Sequence, residues 1–328
     1  MEILVLADDL TGALETGAKF AAAGVGAVVL LPGGETADAP AVVIDTETRH
    51  APPEEAARIV ESHARAALAA GARLVYKKTD STLRGNIGAE LGALARAAGT
   101  ELVYAPAYPR MGRTVRAGRL YVDGVPVSET AFARDPLDPV RESAVARVLA
   151  AQTDAAIRVW DGESDTQIEA AARSAIPSRA AAGPASMAEA LAALLPLPRG
   201  PLPAGWPAMR GALAVNGSLH EVSRAQVEYA LAHGWSREGP WRVFDGFDGV
   251  AVRHALDTMQ PGALIVFGGD TAFGILDALG RPAIHPVREI LPGVPLSRAG
   301  GLFLVTKAGG FGPPDVLVRI REIMGKAS

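Results

Sequence analysis

Ile3-Leu-Val-Leu-Ala7 runs without a break into Asp8-Asp9-Leu-Thr-Gly-Ala13, and a helical pattern follows over residues 11–23. An apolar run, a polar pair and a helix-period pattern describe a strand, its carboxyl end and a helix. Asp9 stands where an N-cap belongs, since an aspartate there accepts a free N–H of the first helical turn. The arrangement recurs downstream. Ala27–Leu31, Val42–Ile44, Leu74–Tyr76, Leu102–Tyr104 and Ile157–Trp160 read as short strands, and helical patterns occupy 54–70, 86–98, 137–150 and 185–195. Such alternation predicts an α/β fold on a mainly parallel sheet.

Residues 195–207 then carry five prolines, which excludes both helix and central strand and marks a linker. Beyond it the alternation restarts. Strands are expected at Ala212–Val215, Val243–Phe244, Leu264–Phe267 and Leu302–Thr306, and helices at 220–233, 249–258, 271–279 and 313–325. The chain of 328 residues therefore divides into two α/β domains, 1–205 and 206–328, each predicted as a mainly parallel sheet flanked by helices.

Composition narrows the function. With 49% hydrophobic residues, 21% charged residues and a net charge of −4, the chain is neither disordered nor a non-specific nucleic-acid binder. Zero cysteines exclude disulfides, thiolate nucleophiles and cysteine-ligated metals. No basic, cleavable leader or apolar run of spanning length is read at the N-terminus or elsewhere, so a soluble cytoplasmic protein without membrane partners is expected. The six histidines show no ligand spacing, and the chain lacks Walker A, G-x-G-x-x-G and G-x-S-x-G sequences.

In open parallel sheets, ligands bind beyond the carboxyl ends of strands. Asp8-Asp9-Leu-Thr-Gly follows the first strand, Lys77-Lys78-Thr-Asp80-Ser81-Thr-Leu-Arg84 the fourth, and Pro106-Ala-Tyr-Pro-Arg-Met-Gly-Arg113 the fifth. All three fall on one edge of one sheet. Residues 77–119 hold eight lysines and arginines against three acidic residues, a basic zone inside an acidic chain. It suits a small anion, because arginine forks grip carboxylate or phosphate while lysine supplies a point charge. In the second half Asn216-Gly-Ser218, Gly268-Gly269-Asp270-Thr271 and Lys307-Ala-Gly309-Gly310-Phe-Gly312 likewise follow strands. Glycine pairs at helix starts allow close backbone approach and present free N–H groups to phosphate. Of only five lysines, three (Lys77, Lys78 and Lys307) sit at these strand ends.

Ala7-Asp-Asp-Leu-Thr-Gly-Ala13, Lys77-Lys-Thr-Asp-Ser-Thr-Leu-Arg-Gly-Asn86, Pro106–Arg113 and Tyr121-Val-Asp-Gly-Val-Pro126 resemble the N-terminal motifs of the four-carbon acid sugar kinase family. Asn216–Ser218, Ser223-Arg-Ala-Gln226, Gly268–Thr271, Pro292-Gly-Val-Pro295 and Lys307–Gly312 resemble its nucleotide-binding half, so the likeness spans nearly the whole chain in order. The resemblance implies ATP-dependent phosphorylation of the terminal hydroxyl of threonate, erythronate or 3-oxo-tetronate. A sugar-acid sensor without turnover is the alternative. A homodimer through the first domain is also consistent with the family.

On that reading Arg84 and Lys77 or Lys78 hold the substrate carboxylate, with Ser81 and Arg113 in the same region, and Asp8, Asp9 and Asp80 accept its hydroxyls. Ser218, Gly268, Gly269, Asp270, Thr271, Lys307, Gly309, Gly310 and Gly312 face the nucleotide. Mg²⁺ bridges phosphate oxygens and takes few protein ligands. The general base is Asp270 or Asp9, and domain closure over the linker keeps water from the transferring phosphoryl group.

Overall fold

The computed structural model describes residues 1–325. The first half contributes β1 (Ile3–Ala7), β2 (Ala27–Leu30), β3 (Ala41–Asp45), β4 (Leu74–Lys78) and β5 (Leu102–Tyr104). A small antiparallel sheet of β6 (Arg113–Arg116), β7 (Arg119–Val122) and β8 (Val125–Pro126) stands apart, and β9 (Ile157–Val159) and β10 (Ala180–Gly183) return to the main sheet. The helices of this half are α1 (Leu10–Ala22), α2 (Pro53–Ala69), α3 (Ile87–Ala98), α4 (Val145–Ala150), α5 (Asp165–Ala175) and α6 (Ala185–Leu194). Its strands run parallel in the order β2-β3-β1-β4-β10-β5-β9. After β3 the chain crosses from one side of β1 to the other, which opens a crevice at the carboxyl ends of β1 and β4.

The second half adds β11 (Ala212–Asn216), β12 (Trp241–Asp245), β13 (Ala263–Phe267), β14 (Ile284–Leu291), β15 (Val294–Ala299) and β16 (Leu302–Lys307). Its helices are α7 (Glu221–Ala232), α8 (Gly249–Met259), α9 (Gly269–Ala278) and α10 (Val316–Gly325). The parallel set β12-β11-β13-β16 continues through antiparallel β15 and β14.

The sequence predicts two separate sheets, and the structure corrects this. Ile284 of β14 pairs antiparallel with Val29 of β2, so a single mixed sheet of 13 strands crosses both halves. The joint is packed from α1. A Cβ added at Gly17 would lie 2.6 Å from the Pro286 ring and 3.2 Å from Val29. Lys19, 7% exposed, reaches Glu289 of β14 at 2.7 Å and Glu189 of α6 at 3.6 Å. The proline-rich segment carries no helix or named strand. It is tied down on both sides, through Gly200 N–H to the Gly24 carbonyl at 2.7 Å and Arg288 to the Pro203 carbonyl at 2.5 Å.

Local readings fail in three further places, each with a physical cause. The helix expected over 137–150 is confined to Val145–Ala150, because Pro136 and Pro139 interrupt the stretch before it. Ala180-Ala-Ala-Gly183 forms a central strand despite weak intrinsic preference, since fully buried small side chains let the flanking helices approach. The β14–β15 hairpin carries Pro286 and Pro295, residues that locally argue against a strand, and it shows register shifts where β14 passes them. No helix among the described residues is long and apolar enough to cross a membrane.

The tight joint has a measurable consequence. In Gly17→Ala the new methyl group must displace the Pro286 ring, at about 1–3 kcal/mol. Alanine returns only roughly 1 kcal/mol through its better helix propensity. A lowered urea midpoint is expected, and an unchanged or raised midpoint would mean that α1 and β14 are not held in this contact.

Candidate active site

Both halves turn their strand ends to one cleft of about 290 Å³. The first half lines it with Asp8, Asp9, Lys78, Asp80, Ser81 and Arg84, and the second with Gly269, Asp270, Lys307 and Gly309. The halves meet closely, for a Cβ added at Gly269 would lie 3.8 Å from Asp9 Oδ2.

Asp9 caps α1 through Oδ1, which accepts the Gly12 N–H at 2.8 Å. Its Oδ2 accepts the Thr11 hydroxyl and Arg49 Nη1, each at 2.7 Å. Burial opposes ionisation of Asp9, yet the charges of Arg49 and Lys78 and the two local hydrogen bonds prevail and hold its carboxyl at about 2. Asp8, 3% exposed, accepts Arg49 Nε at 2.7 Å on Oδ2, while its buried Oδ1 has no partner among the described residues. Asp80 sits 3.9 Å from Arg49 Nη2 and folds its own turn, accepting Thr82 N–H at 3.0 Å and Arg84 N–H at 3.2 Å. Arg84 returns its side chain to Asp80 at 2.8 Å and to Asp135 at 3.2 Å. Despite burial, Arg84 and Arg49 hold the Asp80 carboxyl well below the usual carboxylate range.

The two adjacent lysines part company at the end of β4. Lys77 is fully buried, pairs with Glu90 at 3.0 Å and does not line the cleft. Lys78 faces the cleft, donates to the Thr79 carbonyl at 3.0 Å and forms no ion pair among the described residues. Arg113 also lies behind the lining, its guanidinium 4.9 Å from the ring centre of Phe311, which does line the cleft.

In the second half, Gly268 precedes α9 with φ 104°, a conformation closed to other residues without strain. Asp270 is exposed in the first turn of α9. Gly309 packs closely on Ser218, since a Cβ there would lie 2.3 Å from Ser218 Oγ and force that side chain to turn away. Ser218, Gly268, Thr271, Gly310 and Gly312 surround this region without lining the cleft. Lys307 is buried over the Phe267 ring at 4.4 Å with no carboxylate partner among the described residues, and burial pulls its ammonium down to about 7. Glycine loops beside an unpaired lysine and a helix start fit the phosphates of a nucleotide. Among the described residues no three acidic or histidine side chains gather as a metal site.

Arg49 is absent from the residues singled out in the sequence, although it links Asp8, Asp9 and Asp80. Glu15, Glu47, His50, Asp135 and Asp138 also line the cleft without having been expected there, whereas Tyr108 belongs to the expected cluster after β5. Applying the strand-end rule to β3 points to residues 46–50, and with them Glu47, Arg49 and His50. Glu15 emerges on counting one helical turn past Thr11. Burial raises the Glu15 and Glu47 carboxyls above their ordinary values.

Residues 3–195 match the family model of a sugar-binding N-terminal domain, and residues 242–317 that of a nucleotide-binding C-terminal domain. The chain is 32% identical to a D-threonate kinase of Bordetella bronchiseptica, covering 97% of this chain and 96% of that one. It is 27% identical to a 3-oxo-tetronate kinase of Methylobacterium radiotolerans, covering 97% and 98% respectively. Among solved structures, a Salmonella typhimurium protein superposes with a TM-score of 0.80 at 22% identity, covering 98% of this chain and 99% of the other. That last likeness is one of fold.

Arg49→Leu leaves the buried Asp8 beside the half-buried Asp9 without their shared cation and is expected to cost about 3–5 kcal/mol at neutral pH. Asp9 is held at about 2, below its ordinary 3.8, so its pairing contributes stability that is present above about pH 4 and is lost as pH falls toward 2. The gap between wild type and variant in denaturant titrations should therefore narrow on acidification. A gap independent of pH would separate Arg49 from the ionisation of Asp9.

Proposed function

Because the chain belongs to the four-carbon acid sugar kinase family, we propose that it transfers the terminal phosphoryl group of ATP to the terminal hydroxyl of threonate, erythronate or 3-oxo-tetronate. The carrying observation is the shared cleft, with the carboxylates and Lys78 of one half set against Gly269, Asp270 and Gly309 of the other. We place the sugar acid on residues 1–205 and the nucleotide on 206–328, with the boundary in the proline-rich segment.

Lys78 holds the substrate carboxylate. Of the two adjacent lysines it is the one that lines the cleft and has no carboxylate partner among the described residues, whereas Arg84 is already neutralised by Asp80 and Asp135. Arg84 and Ser81 then shape the pocket wall, and Arg113 supports it through Phe311. Asp8 accepts a substrate hydroxyl on Oδ1, which would give that buried oxygen the partner it lacks. Asp9 fixes the first turn of α1 beside it.

ATP supplies the electrophilic phosphoryl group, and Mg²⁺ would neutralise its oxygens with few ligands from the chain. Gly269 and Thr271 at the start of α9, with Ser218 and the Gly309–Gly312 loop, hold the phosphates through N–H and hydroxyl donors. Gly268, whose own N–H is taken by the Lys307 carbonyl at 3.0 Å, sets the turn before them. Asp270 takes the proton from the attacking hydroxyl. A carboxylate held at about 2 is a weak base, which argues against Asp9 in that role, and Asp270 stands exposed across from it.

The reading is tested by incubating the protein with ATP and D- and L-threonate, D- and L-erythronate and their 3-oxo forms, with product followed by phosphorus NMR. One of these acids should give a phosphate monoester. Asp270→Asn is expected to lower kcat by about 10²–10⁴ with sugar-acid binding retained. Lys78→Met should raise the KM for the acid about tenfold or more. Binding of an acid without any product would favour a sensor, and near-normal turnover in Asp270→Asn would remove Asp270 as the base.

A further inference from the structure

The loop after β16 is held by an unusual concentration of donors on one side. Lys307 Nζ donates to the carbonyls of Ala308 at 2.8 Å and Gly309 at 3.0 Å. Ser223 Oγ of α7 adds a second bond to the Gly309 carbonyl at 2.8 Å. One turn along α7, Gln226 Nε2 meets the carbonyls of Phe311, Gly312 and Pro313 at 3.0, 2.9 and 3.0 Å. Ser223, Gln226 and Lys307 are all buried.

A trans peptide sets each carbonyl opposite the N–H of the next residue. Pinning the carbonyls of 308, 309 and 311 toward α7 therefore turns the N–H groups of Gly309, Gly310 and Gly312 the other way. None of these three N–H groups donates to a protein acceptor among the described residues. Successive outward N–H groups on a glycine loop form an anion-binding concavity. Lys307 spends its donors on the loop carbonyls and on Ser223 at 3.5 Å, so little of its hydrogen-bonding capacity is left for a ligand.

We propose that Lys307, Ser223 and Gln226 are positioning residues, which act on the polyphosphate through the backbone by holding the 308–313 carbonyls inward and the glycine N–H groups toward the ligand. This rests on the kinase reading for the identity of the ligand, and the geometry of the brace stands without it. Gln226, a neutral side chain buried behind the loop, should thus control phosphate affinity that it cannot contact. The strand-end lysine works from beneath the loop and makes no direct phosphate contact.

The test uses the full chain with Gln226→Leu, Ser223→Ala, Lys307→Met and the Gln226→Leu/Lys307→Met pair. Calorimetry measures binding of ATP and of tripolyphosphate, and steady-state kinetics separates the KM values for ATP and sugar acid from kcat. Gln226→Leu and Lys307→Met should each weaken tripolyphosphate and ATP binding about tenfold, the size expected when buried acceptors lose their donors. The KM for the sugar acid should not move. The double variant should fall well short of the product of the two losses, because both act on one loop. Ser223→Thr, which keeps the hydroxyl, should bind as wild type where Ser223→Ala does not. Should Gln226→Leu fail to fold, the Ser223 pair decides by itself.

Loss of binding in Lys307→Met with wild-type affinity in Gln226→Leu and Ser223→Ala would make Lys307 a direct ligand and overturn the brace. Wild-type affinity in every variant, or no tripolyphosphate binding by the unaltered chain, would overturn it too. A chain that binds tripolyphosphate with the expected variant losses and phosphorylates no tetronate would refute the kinase reading and leave the brace standing.

Discussion

The pairing of β2 with β14 is the constraint on which the remaining geometry depends. Parallel strands of each half end in polar loops, but two such edges face each other only if something fixes their relation. Here the backbone does so, edge to edge at Val29 and Ile284, and α1 covers the joint with Gly17 against Pro286 and Lys19 against Glu289. The same helix begins at the cleft, with Asp9 as its cap and Thr11 near Gly269. One element thus transmits the inter-half contact to the site. A rotation about the proline-rich segment alone would pull β14 from β2, so any closure of the cleft would have to bend or twist the shared sheet.

Within the cleft, the distribution of unpaired charge separates framework from binding capacity. Arg49 and Arg84 are the most conspicuous cations, and both are already matched by Asp8, Asp9, Asp80 and Asp135. Their arrangement keeps several carboxylates ionised at short range, which would otherwise repel. Lys78 is the reverse case: it forms no ion pair among the described residues, so it keeps more capacity for an arriving anion than either arginine.

Much of this was legible in the sequence because strand ends carry local signals. Asp8–Asp9, Lys77–Arg84, Gly268–Thr271 and Lys307–Gly312 each come directly after an apolar run, and the structure sets members of all four sets around one cleft. Asp9 also obeys its plainer reading as a helix cap, and Asp80 forms the turn of its own loop, so side chains that line the cleft also shape the backbone around it. The features that escaped depend on distant contacts. Arg49 gains meaning only beside Asp8, 41 positions away in sequence. Whether Lys77 or Lys78 faces the cleft is decided by alternation along β4 and by Glu90 in the core. The single sheet arises from β14, whose prolines locally argue against a strand and whose partner lies in the other half.

The two lysines that border the cleft solve one problem twice. Lys78 ends β4 and Lys307 ends β16, and each donates to the carbonyl of the residue after it, Thr79 at 3.0 Å and Ala308 at 2.8 Å. A buried ammonium needs oxygen acceptors, and the first carbonyl beyond the strand is the nearest available. The bond also fixes the direction in which the loop leaves the sheet, so the charge and the backbone geometry at each strand end are set together. A negatively charged acid and a polyphosphate repel when brought to reacting distance. On the proposed reading, an ammonium on each strand end, one beneath each ligand, would reduce that repulsion without placing a flexible side chain between the reacting groups. Lys307 does so only in so far as it stays protonated, with its ammonium pulled down to about 7. A compact ammonium can fold back on its own strand end in this way, where a planar fork needs a wider set of partners.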